Sequence, residues 1–136
     1  MKKILIINAN YYMKISSQMS SEAKNALDNS KSLGGKKKNF KYKIINVPGV
    51  FEIPVIISKN VKKYDGFIAL GCVIKGETPH FDFISQAATN AIMKLSIDYK
   101  KPVGNGIITC LNQKQAKARS KKGREAAEAV ISVLSK

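Results

Sequence analysis

The stretch that decides the fold is Asp65-Gly66-Phe67-Ile68-Ala69-Leu70-Gly71-Cys72-Val73-Ile74-Lys75-Gly76-Glu77-Thr78-Pro79-His80-Phe81-Asp82. Its first half, Asp65 to Ile74, contains Gly66-Phe67-Ile68-Ala69-Leu70, a continuous apolar run of the kind that forms a strand buried on both faces. A glycine-containing loop follows, and a helix begins near Thr78-Pro79. Threonine is a good N-cap and proline suits the first helical position. Phe81, Ile84, Ala88, Ala91, Ile92 and Leu95 then recur at helical spacing. A buried strand feeding a helix in this way is the repeating element of a parallel α/β sheet.

The same alternation extends in both directions. Upstream, Ile4 to Ala9 is a second buried-strand run, and Ile15, Met19, Ala23, Ala26 and Leu27 mark a helix expected to end at Gly34-Gly35. Phe40 to Val47 reads as a strand, Pro48-Gly49 turns the chain, and Pro54 sits in the first turn of a helix running through Val61. Downstream, Pro102 to Thr109 is the fourth strand. Asn112 is an N-cap, and a C-terminal helical region ends with Ala126 to Leu134. The β-α-β-α-β-α-β-α order predicts a parallel sheet covered by helices on both faces. Open parallel sheets bind ligands outside the carboxyl ends of their strands. That rule singles out Asn8–Tyr12, Val47–Glu52, Gly71–His80 and Thr109–Asn112.

At 136 residues the chain has the size of one domain. Its 44% hydrophobic and 24% charged residues are ordinary for a soluble protein. The charge is not: 24 Lys+Arg against 9 Asp+Glu leave +15, which favours anionic partners such as nucleic acid, acidic membranes or phosphorylated metabolites. Only Arg119 and Arg124 are arginines, so the residue best suited to bidentate phosphate and base contacts is scarce. The lysines read mainly as solvated surface, with Lys36-Lys37-Lys38 at a loop tip after Gly34-Gly35. No apolar run approaches a membrane span, and the run at Ile4-Leu5-Ile6-Ile7 is shorter than a secretory leader needs. Cys72, Cys110 and the single histidine have no zinc-site spacing. A cytoplasmic, metal-free protein is the expectation.

The chemistry concentrates in the selected segments. A helix starting at Thr78-Pro79 presents free N–H groups and a positive dipole end to the sheet's mouth, a ready anion site, although Thr78 would equally serve as a plain cap. His80, beside it, can give and take protons near neutral pH. Glu52 lies between apolar residues at a strand-to-helix turn; it either caps its own helix or accepts hydrogen bonds from a polyhydroxylated ligand. Tyr11-Tyr12 either stack on a planar heterocycle or pack on the first helix. Cys72 reads as a small buried residue rather than a nucleophile. Arg119, in a basic cluster with Lys117, Lys121, Lys122 and Arg124, would complete an anion clamp by closing over a phosphate.

Val47-Pro48-Gly49-Val50-Phe51-Glu52-Ile53-Pro54 and Gly71-Cys72-Val73-Ile74-Lys75-Gly76-Glu77-Thr78-Pro79-His80-Phe81, in this order and spacing, resemble the 6,7-dimethyl-8-ribityllumazine synthase family. Pro102-Val103-Gly104 and Gln115-Ala116 with Arg119 extend the resemblance over essentially the whole chain. The resemblance implies an α/β fold: a three-layer α/β/α sandwich around a four-stranded parallel sheet, flavodoxin-like, as a single domain over residues 1–136. It implies a transferase that condenses 5-amino-6-(D-ribitylamino)uracil with 3,4-dihydroxy-2-butanone 4-phosphate, without metal or organic cofactor. Tyr11 matches the position that stacks on the pyrimidine. Val50, Phe51 and Glu52 match the segment holding the pyrimidine and ribityl chain. Cys72, Val73 and Ile74 match the strand end whose backbone reads the ring. Glu77 and Thr78 match the phosphate-binding helix start, and His80 the proton-transfer residue. Arg119 matches the phosphate-binding arginine, and Asn105 a pocket position supplied by the adjacent subunit. Family sites lie between neighbours of a pentamer, and a first strand beginning at Ile4 favours a pentamer or a pair of pentamers over a sixty-subunit shell. Asn105 stands where an aromatic is common, Val50 where Ala or Ser is usual, and Asn10 and Tyr12 where Arg and Asn are common. The segment after Arg119 is about two residues short. The alternatives are a basic nucleic-acid-binding α/β module, for which the sequence carries no binding motif, and a flavodoxin-like nucleotide or flavin binder. The latter lacks a glycine-rich phosphate loop after the first strand.

Overall fold

The computed structural model describes residues 1–30, 40–76 and 79–136. In chain order the elements are β1 (Lys2–Ala9), α1 (Met13–Asp28), β2 (Phe40–Val47), a 3-10 turn (Val50–Glu52), α2 (Ile53–Asn60), β3 (Gly66–Ile74), α3 (His80–Tyr99), β4 (Val103–Cys110), α4 (Gln113–Ala118) and α5 (Lys122–Leu134). The four strands form one sheet in the order β2-β1-β3-β4, every pair parallel. This is the expected three-layer, flavodoxin-like arrangement.

The alternation of side chains along each strand builds two cores. Ile4, Ile6, Ile68, Leu70, Cys72, Ile108 and Cys110 face α1 and α5, which contribute Ile15, Met19, Leu27, Ala127 and Val130. Leu5, Ile7, Ala9, Phe67, Ala69 and Ile107 face α2 and α3, which contribute Ile53, Ile57, Ala88 and Ile92. Because the central strands β1 and β3 are buried on both faces, their middles, Ile4 to Ile7 and Phe67 to Leu70, are continuously apolar. The outer strand β2 instead exposes Lys41 and Lys43, charges that discourage edge-to-edge pairing.

Several glycines mark close approaches, and two of them bear on how the site's elements are seated. A Cβ on Gly123 would stand 2.2 Å from the Met19 carbonyl oxygen, so this residue lets α5 lie directly on α1. A Cβ on Gly71 would meet Val50 Cγ2 at 2.6 Å, which is how the 3-10 turn seats on β3.

Some boundaries differ from the sequence expectation. Helix α1 stops at Asp28, not at Gly34-Gly35, because Asn29 turns back and donates to the Asn25 carbonyl through both its backbone N–H (3.0 Å) and its side-chain Nδ2 (2.9 Å). Gly34-Gly35 and Lys36-Lys37-Lys38 lie outside the described residues. Helix α3 starts at His80, with Pro79 at the N-cap place; the Pro79 carbonyl accepts from the N–H groups of Asp82 (3.1 Å) and Phe83 (3.2 Å). The C-terminal region divides into a six-residue α4 and a longer α5 that begins at Lys122. Among the described residues no helix is long and apolar enough to cross a membrane.

Candidate active site

In a parallel sheet all four strands deliver their following segments to the same rim. The order in which the chain adds strands reverses between β1 and β3, the switch point outside which ligands of such folds settle. The pairing of Asn8 with Leu70, Ala9 with Val47 and Ile74 with Cys110 brings the four strand ends level.

From β1 come two tyrosines with different fates. Tyr12 packs partly into the α1–α5 core, while Tyr11 is 76% exposed. Their rings meet edge to face, with centroids 4.9 Å apart and planes at 80°, so the buried ring steadies the exposed one. Packing against the first helix thus holds for Tyr12, while the Tyr11 ring is left exposed. Burial, then Cys72 and Tyr11, raises the Tyr12 hydroxyl above the ordinary tyrosine range.

From β2 comes the 3-10 turn, closed by the Glu52 N–H on the Gly49 carbonyl at 3.2 Å. The turn sorts its residues: Val50 is buried against β3, and Phe51 is 62% exposed. Glu52 occupies the N-cap place of α2, yet its carboxylate makes no capping hydrogen bond. Its Oε1 instead lies 3.3 Å from the Cβ position of Gly49, on the turn itself. The capping alternative for Glu52 is thereby set aside, and its oxygens remain available as acceptors.

From β3 come Cys72, buried, and Val73 and Ile74, both half-buried. Lys75 N–H donates to the Cys110 carbonyl at 2.9 Å and ties this strand end to β4. Burial first, and next the neighbouring Cys110, push the Cys72 thiol up to about 12, with Arg119 pulling weakly the other way. At neutral pH it is a thiol, not a thiolate, and a poor nucleophile. Glu77 and Thr78 lie outside the described residues. His80 is the first residue of α3 and is exposed at the same rim.

From β4 comes the arginine. The Arg119 side chain returns to the strand end: Nη1 donates to the Thr109 carbonyl at 2.9 Å and approaches Cys110 Sγ at 3.9 Å. Nothing in the sequence pattern identifies Thr109 as this anchor, because a backbone carbonyl has no residue signature. Asn105 behaves differently from the other candidates. It pairs with Ala69 in mid-strand, so Thr109 at the rim is about 13 Å further along β4 at the usual strand rise. Its Oδ1 accepts from the Ile107 N–H at 3.1 Å. Asn105 therefore lies away from the rim that carries Tyr11, Phe51, Glu52, His80 and Arg119.

That group brings an exposed aromatic face, a carboxylate acceptor, an imidazole and a guanidinium to the same rim of the sheet. It suits a planar, hydroxylated molecule beside an anionic one. Among the described residues no cluster of three or more His, Cys, Asp and Glu is placed to hold a metal ion.

Comparison with known proteins gives the same direction. The family model for 6,7-dimethyl-8-ribityllumazine synthase matches residues 1–136. The 6,7-dimethyl-8-ribityllumazine synthase of Bartonella bacilliformis is 39% identical over 140 aligned positions, covering 96% of this chain and 87% of the relative. Its counterpart from Aliarcobacter butzleri is 39% identical, covering 98% and 85%. That of Corynebacterium kroppenstedtii is 35% identical, covering 95% and 80%. The chain belongs to the 6,7-dimethyl-8-ribityllumazine synthase family.

Proposed function

We propose that the chain condenses 5-amino-6-(D-ribitylamino)uracil with 3,4-dihydroxy-2-butanone 4-phosphate, giving 6,7-dimethyl-8-ribityllumazine, phosphate and water, the penultimate step of riboflavin biosynthesis. The observation that carries this reading is the family match over the full length of the chain. The gathering of Tyr11, Phe51, Glu52, His80 and Arg119 at one rim supports it.

The chemistry follows from the two reactants. The pyrimidine lies against Tyr11, with Phe51 and Glu52 beside it and the backbone of Cys72, Val73 and Ile74 reading its edge. Glu52 accepts hydrogen bonds from the ribityl hydroxyls. The substrate's free 5-amino group attacks the ketone to give a carbinolamine, which loses water to an imine. A proton and phosphate then leave to give an enol, which tautomerises to a ketone. The ribityl-bearing nitrogen attacks that carbonyl, and loss of a second water closes the ring. Holding two reactants in place can itself supply about 7–11 kcal/mol of the barrier. His80 moves the protons between these steps. Arg119, with Glu77 and Thr78, which precede α3 in the sequence, steadies the phosphate as its charge grows. The neutral thiol of Cys72 takes no covalent part.

The site is completed between subunits, with Asn105 entering from a neighbour. Its distance from the rim of its own subunit supports this, as does the outer side of α3, where Phe83, Met93 and Ile97 expose apolar surface. A pentamer, or a pair of pentamers, is the assembly we propose, and the cytoplasm its compartment. The +15 charge then serves small anionic substrates and solubility rather than nucleic acid, for which the comparisons offer no support.

The test is direct. Purified protein mixed with both substrates should form the lumazine, followed by its absorbance, well above the spontaneous rate. Formation at the spontaneous rate alone would end the enzymatic reading. Light scattering on the eluted protein should give a mass of five or ten chains, and a monomeric mass would contradict the shared site.

A further inference from the structure

Arg119 is a long, exposed side chain at the end of a six-residue helix, and such a helix has little stability of its own. Yet its guanidinium is held at one place. The cause is a closed circuit of hydrogen bonds running from the end of β4 through α4 and back. Asn112 caps the helix, its Oδ1 accepting from the Gln115 N–H at 2.9 Å. Gln115 answers with its side chain, Oε1 accepting from the Leu111 N–H at 2.8 Å. This reciprocal capping fixes the first turn against the strand that precedes it. Ala116, fully buried, pins the middle of the helix to the core. The Arg119 N–H is shared by the carbonyls of Gln115 and Ala116, each at 3.1 Å. The side chain then returns to the Thr109 carbonyl and closes the circuit. Only Nη1 is engaged, so the remaining guanidinium donors have no hydrogen-bond partner among the described residues.

We propose that Gln115 is a positioning residue: by locking the first turn of α4 to the end of β4, it sets where the Arg119 guanidinium stands and so governs recognition of the phosphorylated substrate. The inference rests on the reading of Arg119 as the phosphate-binding residue. Without the Gln115 acceptor, the Leu111 N–H loses its partner and α4 is free to shift on the strand. The guanidinium then divides its time between the Thr109 carbonyl and solvent, and each phosphate that binds must first order it again.

The experiment uses inorganic phosphate as the probe, titrated calorimetrically into the assembled protein, with the unfolding temperature measured in parallel. Gln115→Leu, which keeps bulk but removes the acceptor, should weaken phosphate binding roughly three- to tenfold, the scale of one lost hydrogen bond. In turnover it should raise KM for the butanone phosphate by a similar factor and leave KM for the uncharged pyrimidine unchanged. Asn112→Ala should behave alike, and Asn112→Ser, which still caps, should restore wild-type binding. Ser96→Ala is the stability control. It removes a 2.7 Å bond to the Lys101 carbonyl near the opposite end of the sheet, and should lower the unfolding temperature without moving phosphate affinity. If Gln115→Leu and Asn112→Ala lose stability but bind phosphate as the wild type does, the positioning role is overturned. If the wild type and Arg119→Gln bind phosphate equally, the reading of Arg119 itself fails, and that result is distinct from the first.

Discussion

The two ends of the sheet use the same kinds of residue in opposite ways. At the amino end, polar side chains are committed to the protein's own backbone. Asp65 accepts from the Lys3 N–H at 2.8 Å, Ser96 donates to the Lys101 carbonyl at 2.7 Å, and Lys101 Nζ donates to the Val61 carbonyl. At the carboxyl rim Tyr11 and Phe51 stand in solvent, and Glu52 does not cap the helix it precedes. Arg119 is anchored through one nitrogen only. One end closes the fold and the other holds donors, acceptors and rings ready for a second molecule. The difference is a matter of topology, since all the parallel strands point their carboxyl ends, and with them their helix-starting loops, to one side.

Substitutions at the two ends should therefore separate function from stability. The largest expected effect is at the rim: His80→Ala should lower turnover by about 10²–10⁴-fold while leaving a residual rate from reactant positioning. Unchanged turnover would remove His80 from the mechanism. Next in size is a structural change beneath both ends. Gly123→Ala drives a methyl against the Met19 carbonyl and should destabilise by about 1–3 kcal/mol or more in denaturant titration. At the amino end, Ser96→Ala should cost about 1 kcal/mol of stability and leave kcat alone.

The pH response should also follow the core rather than the rim. The Cys72 thiol is raised from 9.0 to about 12, chiefly by burial, and burial likewise raises Tyr12 and Tyr42. A group whose folded pKa lies above its unfolded one favours the native state below the unfolded pKa and loses that advantage as pH rises to the folded value. Stability should thus fall between about pH 9 and 12, and fall less in Cys72→Val, as read from denaturation midpoints across that range. The smallest effect is electrostatic. Lys114 and Lys117 flank Arg119 on α4, whereas Lys122 and Arg124 of α5 are paired to Glu125 and Glu128. Neutralising the two α4 lysines should flatten the fall of kcat/KM with salt by a factor of about two or three at most.

Much of this arrangement was legible in the residues themselves. Runs such as Ile4 to Ile7 and Gly66 to Leu70 announce buried parallel strands, because burial on both faces favours unbroken apolar sequence. The alternation of strand and helix alone places the ligand segments at one rim, whereas the order β2-β1-β3-β4 comes from the structure. What composition and spacing could not resolve depends on short-range geometry. The sorting of Val50 inward and Phe51 outward is decided by a 3-10 turn, not by hydrophobicity, since both are apolar. The end of α1 is set by Asn29, and not by the glycine pair further on. The Arg119 anchor spans ten residues and ends on a carbonyl, which any residue could supply. The Asn112-to-Gln115 spacing, by contrast, is a capping signature visible in sequence.

The central claim is that the carboxyl rim, and not the amino end, receives both reactants. A crystal structure of the assembled protein with the ribitylaminouracil and inorganic phosphate bound tests it most directly. The account predicts the pyrimidine against Tyr11 in the crevice between β1 and β3, with phosphate on the Arg119 guanidinium and His80 between the two. Pyrimidine and phosphate found elsewhere, or Arg119 without phosphate while the pyrimidine is in place, would contradict it.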